Sequence, residues 1–422
     1  MRPRPIASAI LPLALAALLP LSACSALGQE TQSSEPKAAG SQAPSFEPSG
    51  SGAGADTGAG SAAQGAGNES AAAATVDPGW DAPAQEAGGT FLSMHENDDS
   101  LEYRAVDSSG EILWTAQRSR ACSAHLVTTT ADGPIAVLMD QGPTTEDSLT
   151  STASGYDLQT GQKRWGPVET PGAMLGNGLV FASAPKDFIG TGGPRTALNP
   201  ATGAVAAAED EDEDEVPGEG GTESPGESDD SRPRVIAMFG EHLVRSQGSD
   251  LVGEDLDGDR LWTRAAVDFG MSAAEAREIP WEPIGTSHAL LGDAGSEERT
   301  LVDLDSGASV DSDISGAWFD SASNTLVTAG SDLQGFNSDG TERWKSPLPE
   351  NIEVAGVGAG LIVFDSAGDG ATARSARDGS QADSDAPLLR TIKTLGAPHH
   401  IAESGAALVG DPQTPLLITS RS

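Results

Sequence analysis

This 422-residue chain is poor in cysteine (two), in tyrosine (two) and in positive charge, with 24 Lys and Arg against 63 Asp and Glu. Two cysteines are too few for a disulfide framework, so the fold must be held by packing. A formal net charge of −39 repels phosphate backbones and anionic headgroups, which excludes nucleic acid as a partner and flat contact with a lipid surface. The motifs that announce common chemistries are also missing. There is no GxSxG, no phosphate-binding GxxxxGK[ST] loop, no HExxH and no pair of carboxylates in a recognisable catalytic frame. Aromatic residues make up only 4% of the chain, yet Trp recurs in one context, and that recurrence carries most of the information.

The N-terminus is an export signal. MRPRP is followed by the apolar run IASAILPLALAALLPL and then by small residues before Cys24. The run is too short and too broken by Pro to span a membrane comfortably. LSAC at Leu21 to Cys24 resembles the lipobox of bacterial lipoproteins. That resemblance implies removal of residues 1–23, lipidation of the Cys24 sulfur and acyl anchoring at the outer face of a membrane. Cleavage removes Arg2 and Arg4 and no acids, leaving 22 − 63 = −41 charges. With Cys24 acylated, Cys122 has no partner for an intramolecular disulfide.

Residues 24–77 are almost entirely Ser, Gly, Ala, Gln, Pro and Glu, a composition that buries too little apolar area to order itself, and we expect a stalk. A flexible chain of this length spans roughly 40 Å end to end. A second such stretch, beginning EDEDEDEVPGEGG at Glu209 and closing by residue 231, reads as a solvated acidic insert.

Seven turns repeat along residues 78–422. They read VDSSGEILW at Gly110, DLQTGQKRW at Gly161, NPATGAVAA at Gly203, EDLDGDRLW at Gly258, DLDSGASVD at Gly307, FNSDGTERW at Gly340 and SARDGSQAD at Gly379. Short runs rich in β-branched residues, such as GLVFASA, NTLVTAG and GLIVFDS, precede most of them and have the length of strands. Asp107, Asp157, Asn199, Asp255, Asp303 and Asn337 stand where a side chain can accept turn N–H bonds, and the glycine then takes positive φ to close a hairpin. Trp114, Trp165, Trp262 and Trp344 fall on the return strand, where each can wedge against a neighbouring sheet. Repetition at this period with one four-stranded unit per repeat predicts an all-β propeller.

These turns resemble those of the quinoprotein-type, PQQ-like β-propeller repeat proteins, in which Asp, two or three residues, Gly, three residues and Trp end each blade. The resemblance spans residues 78–422, complete in four turns and degenerate in three. The family includes dehydrogenases that bind pyrroloquinoline quinone and calcium, as well as non-enzymatic lipoprotein scaffolds of the outer-membrane barrel-assembly type. The enzymes carry adjacent paired cysteines over the cofactor. No such pair exists here, and no calcium ligand set or catalytic Asp maps onto this chain, so the resemblance implies the scaffold branch, with no catalytic residue, metal or cofactor. The partners expected are envelope proteins, with the bilayer reached through the acyl chains. A sensory propeller taking a small molecule or glycan is the alternative, followed by a quinoprotein-like enzyme.

Other candidates have simpler readings. DLDGD at Asp255 to Asp259 opens like a calcium loop but falls on a repeated turn and lacks the Glu an EF-hand requires. Cys122 and His125 have metal-ligand spacing without further ligands nearby. His399 and His400 are adjacent, so on a regular strand they point to opposite faces. Ser272 and Glu275 form a capping box that starts a helix ended by Pro280, placed between two blades. Trp318 is expected near the rim. The C-terminal segments HHIAES, AALVGD and PLLITS read as strands without a turn glycine and Trp of their own, so eight blades are expected, seven being the alternative. Closure should come from an N-terminal strand around Trp80 completing the last blade.

Overall fold

The structure, a computed structural model, describes residues 74–120, 123–142, 150–183, 193–209, 232–348, 352–366, 371–383 and 387–420. Eight antiparallel sheets form, seven of four strands and one of three. Blade 1 comprises Gln85–Ala87, Thr90–Glu96, Ser100–Asp107 and Ile112–Ser119, and blade 2 His125–Thr130, Gly133–Gln141, Ser151–Asp157 and Lys163–Thr170. Blade 3 is Gly172–Met174, Val180–Ser183, Arg195–Leu198 and Val205–Ala208; blade 4 is Arg234–Phe239, His242–Gln247, Asp250–Glu254 and Arg260–Ala265. Blade 5 is Trp281–Ile284, His288–Leu291, Arg299–Asp303 and Ser309–Ile314; blade 6 is Gly316–Asp320, Thr325–Ala329, Asp332–Phe336 and Glu342–Pro347. Blade 7 has three strands, Ile352–Gly358, Leu361–Ser366 and Thr372–Ser375. Blade 8 is Pro398–Ile401, Ala407–Asp411 and Thr414–Ile418, completed by Thr75–Val76. The chain is an eight-bladed β-propeller, as the repeats predicted.

The first strand of each blade is innermost, and first strands of successive blades meet, as Gln85–Ala87 meets His125–Thr130. Buried residues of neighbouring blades share each apolar cluster, two blades in most and blades 2, 3 and 4 in one, so the core is a ring of seams rather than a single centre.

The glycine turns form as expected. All seven repeat glycines have φ between 65° and 87°. The Asp107 carboxylate accepts the Ser109 and Glu111 N–H groups, and Asp255 does the same for Asp257 and Asp259. Asn337 differs: its amide engages Thr341 and Arg343, and Asp339 accepts the Thr341 N–H instead.

Four tryptophans join blade to blade. Trp114 donates its indole N–H to Leu158 O at 2.7 Å, Trp165 to Pro200 O at 2.8 Å, Trp262 to Leu304 O at 2.7 Å and Trp344 to Ala376 O at 3.0 Å. In each case the acceptor lies in the turn of the following blade, with the ring against that blade's turn glycine: Gly161, Gly203, Gly307 and Gly379. The same rings press on their own blade at Gly155, Gly253 and Gly335, where a Cβ would sit between 2.1 and 2.3 Å from the ring of Trp165, Trp262 or Trp344. Between blades 5 and 6 the position of the Trp belongs to Asp311, whose carboxylate accepts from Thr328 Oγ1 at 2.6 Å and Gln334 Nε2 at 3.2 Å.

Closure is N-terminal, but by a different segment from the one expected. Thr75 pairs with Ile418 and Val76 with Leu417, so these two residues form the outer strand of blade 8. They lie inside the stretch read as stalk, which moves the start of the folded body from residue 78 back to Thr75. Trp80 instead fills the seam behind that strand, packed with Phe91, Val106, Leu408 and Leu417 and donating to Arg104 O at 3.2 Å. Among the described residues blade 7 has no full outer strand, only the bridge of Gln381 to Arg374. The helix Pro387–Leu395 follows it and buries Leu389 and Ile392 against residues of blades 7 and 8. Trp318 also departs from expectation: it sits on the innermost strand of blade 6, half-buried near the axis rather than at the rim.

Candidate functional site

Up-and-down connectivity sorts the loops onto two faces. The links between first and second strands, and the glycine turns between third and fourth, end on one face, called here the turn face. The links between second and third strands, and those from one blade to the next, end on the opposite, loop face. The long connections 142–150, 184–194, 209–233, 266–280 and 292–298 all begin and end on the loop face. Long loops on a rigid frame are where propellers place recognition.

Blades 3 to 5 build the densest polar structure on that face. Glu209 follows the outer strand of blade 3, and its side chain is 2% exposed. Its carboxylate accepts the backbone N–H groups of Arg195 at 3.0 Å and Val235 at 2.7 Å, and meets the Arg277 guanidinium at 2.8 Å. Arg234 stands 3.8 Å away. Arg195 donates to Arg277 O at 2.7 Å and reaches Glu278 at 3.4 Å. Burial, with the neighbouring Arg277 guanidinium adding to it, lowers Arg195 to about 10, which leaves it charged at neutral pH. A carboxylate this deep is held by charge-assisted bonds from two blades and a helix. Reading the insert as beginning at Glu209 therefore needs correction, because that residue belongs to the folded body; residues 210–231 lie outside the described residues.

The helix of this cluster is the one the capping box predicted. It spans Ala273–Glu278, with Ser272 and Glu275 exchanging both capping hydrogen bonds. It packs on the two inner strands of blade 4, and the fully buried Trp281 donates to Ala276 O at 2.9 Å. Beneath it, Asn177 ties three blades together: its amide donates to Ile236 O at 3.2 Å and its side-chain oxygen accepts from Trp281 N at 3.1 Å. Gly178 runs so close to blade 4 that a Cβ there would meet Met238 O at 1.9 Å. Neither Glu209 nor Asn177 was picked out from sequence. Glu209 is hidden at the edge of an acidic run, while Asn177–Gly178 looks like any turn.

The other sequence candidates do not converge. His125 packs half-buried against Tyr103, ring centroids 5.4 Å apart, and desolvation lowers it to about 4. Cys122 lies outside the described residues, as does Cys24. His400 pairs with Glu86 at 3.1 Å across the seam of blades 8 and 1, while His399 falls at a break in the strand register. Asp255 is occupied by its own turn. Among the described residues no group of three or more His, Cys, Asp or Glu is arranged to hold a metal ion.

No protein-family profile and no curated protein matches this sequence. Solved structures do. BamB from Moraxella catarrhalis is 13% identical with a TM-score of 0.40, the match covering 82% of this chain and 98% of that one. Saccharomyces cerevisiae Sqt1 is 10% identical with a TM-score of 0.42, covering 83% and 99%. Hsv2 from Kluyvelomyces marxianus is 8% identical with a TM-score of 0.35, covering 79% and 90%. The likeness ends at the fold. Function has to be read from this chain's own residues.

Proposed function

We propose that this chain is a membrane-tethered extracytoplasmic lipoprotein whose propeller is a non-enzymatic platform for envelope proteins. The polarity of the body carries the reading. Ala74, where the chain enters the fold, accepts a hydrogen bond from Thr419 N at 2.8 Å beside the Gly110 turn of blade 1, on the turn face. An anchor joined there leaves the loop face, with its long connections and its Arg195–Glu209–Arg277 cluster, pointing away from the bilayer. The acidic body supports the same orientation, since anionic headgroups repel it. The roughly 40 Å reach of the segment after Cys24 supplies the clearance.

Two measurements test the parts separately. Cys24→Ala should abolish acylation and detergent partitioning while leaving the fold intact; recovery of the processed variant in the membrane fraction would count against the anchor. Photo-crosslinkers placed at Glu278 on the loop face should capture envelope proteins more often than crosslinkers at Asp339 in a turn-face hairpin. Equal capture from both faces would remove the polarity argument.

A further inference from the structure

One seam of the propeller, between blades 3 and 4, presents an intact turn glycine that no described side chain covers. Where Trp114, Trp165 and Trp262 cover the next blade's turn, Gly161, Gly203 and Gly307 are buried beneath the ring, and the indole N–H sits on a turn carbonyl. The seam between blades 8 and 1 uses other groups for the same purpose. There Val76 and Thr419 cover Gly110, and Ser420 N donates to Ser108 O at 3.0 Å.

Between blades 3 and 4 the receiving turn is intact. Gly258 has φ 82°, and the Asp255 carboxylate organises the turn. Yet Gly258 is exposed, and a Cβ there would meet nothing within 4 Å. The delivering strand of blade 3 has Ala207 where blades 1, 2, 4 and 6 have Trp, and neighbouring Val205 is 59% exposed. Leu256 O, the counterpart of Leu158 O and Leu304 O, receives no donor from any described residue.

We propose that the seam between blades 3 and 4 is a binding site for a tryptophan side chain carried on a basic segment of a partner protein. Trp is the occupant because the molecule shows four times what this socket takes: a flat ring over glycine and an N–H for the carbonyl, which Phe cannot supply. The flanks of that segment are basic because Asp257 and Asp259 stand exposed on the turn without an ion pair to any described residue. A second copy of this chain does not qualify. Its seven tryptophans are all within the described residues, none of them exposed, and its charge of the same sign repels. The site lies on the turn face, between blades that stand three and four places round the ring from the N-terminal strand of blade 8. The proposal goes beyond the loop-face platform reading and does not depend on the anchor, and a purified full-length chain tests it alone.

The probes are amidated Lys-Trp-Lys, Lys-Phe-Lys and Lys-Ala-Lys peptides, followed by calorimetry and by the Gly258 amide resonance. The Trp peptide should bind at least tenfold more tightly than the Ala peptide and shift Gly258. Ala207→Trp, which gives blade 3 an indole of its own, should weaken the peptide at least tenfold while raising the thermal midpoint. The double variant Asp257→Lys/Asp259→Lys should weaken the Trp peptide but not N-acetyltryptophanamide. Equal binding of the Trp and Ala peptides, or a folded Ala207→Trp chain that binds as well as the parent, overturns the site. Should Ala207→Trp fail to fold, the charge-reversed variant decides: unchanged affinity for Lys-Trp-Lys rejects the basic partner.

Discussion

Trp165 of blade 2 lies flat on Gly203 of blade 3, so close that a Cβ on the glycine would sit 2.4 Å from the ring, and its N–H reaches Pro200 O at 2.8 Å. One side chain thus fills the seam, satisfies a turn carbonyl and fixes the distance between two sheets. Trp165→Ala should cost about 3 to 5 kcal/mol in urea unfolding, the cost of a large cavity left in a rigid seam. Trp344→Ala should cost less, because that indole is only half-buried. Equal, small losses at both sites would mean that the seams do not depend on these rings.

The buried carboxylate of Glu209 gives a second prediction. Glu209→Ala removes the acceptor for two backbone N–H groups and leaves Arg195 and Arg277 facing each other in a site that excludes water. Breaking a buried pair from one side costs about 3 to 5 kcal/mol. Deleting 210–230 should leave the thermal midpoint unchanged or slightly higher, since that sequence adds like charge. A deletion that also removes Glu209 should lower it sharply. Calorimetry on the two deletions separates them by one residue.

How far the sequence reaches can be judged from such residues. The glycine turns, the all-β class and the eight blades are legible because a hairpin needing positive φ leaves Gly at a fixed offset from Asp and Trp, and the offset repeats. The capped helix is legible for the same local reason. Glu209 is not, since a charge run has no internal mark saying which acid is buried, and burial depends on Arg277, 68 residues away. The helix Pro387–Leu395 in place of a blade 7 outer strand is likewise decided by Leu389 and Ile392 filling a seam, a demand set by the neighbouring blades. Trp80 reads as part of an outer strand because it lies three residues before Pro83, as Trp344 on the outer strand of blade 6 lies three before Pro347.

Acidity should weaken the fold through His125. Unfolded, the imidazole titrates near 6.5; folded, burial holds it at about 4. Between those values the unfolded chain takes up the proton and the folded chain does not, so stability is lost as pH falls from about 6.5 to about 4, by about 3 kcal/mol in all at about 1.4 kcal/mol per pH unit. His288, lowered mainly by burial, adds to the slope in the same direction. His125→Phe keeps an aromatic ring against Tyr103 and removes the titration. Unfolding free energies at pH 7 and pH 4.5 should therefore differ less in the variant than in the parent, and identical pH dependence would show that His125 is not buried as a neutral ring.

The closure of the ring rests on two residues and is open to a sharp test. Thr75 and Val76 form the fourth strand of blade 8, Ala74 O accepts both the N–H and the hydroxyl of Thr419, and Val76 with Thr419 covers Gly110 of blade 1. Without them Thr414–Ile418 becomes an open edge, and the seam between the last and first blades loses its cover. Trp80 does not depend on that pairing. It packs with Phe91, Val106, Leu408 and Leu417, all on strands that remain without Thr75–Val76, and its indole bonds Arg104. A chain beginning at Ala74 should unfold at the parent midpoint. One beginning at Asp77, which retains Trp80, should unfold at a lower temperature and be cut by protease first within 414–420. One beginning at Gly88 should be less stable again, because it also loses Trp80 and the innermost strand of blade 1. Equal midpoints for the first two chains would show that the ring closes without its N-terminal strand, and that Trp80 alone holds blade 8 to blade 1.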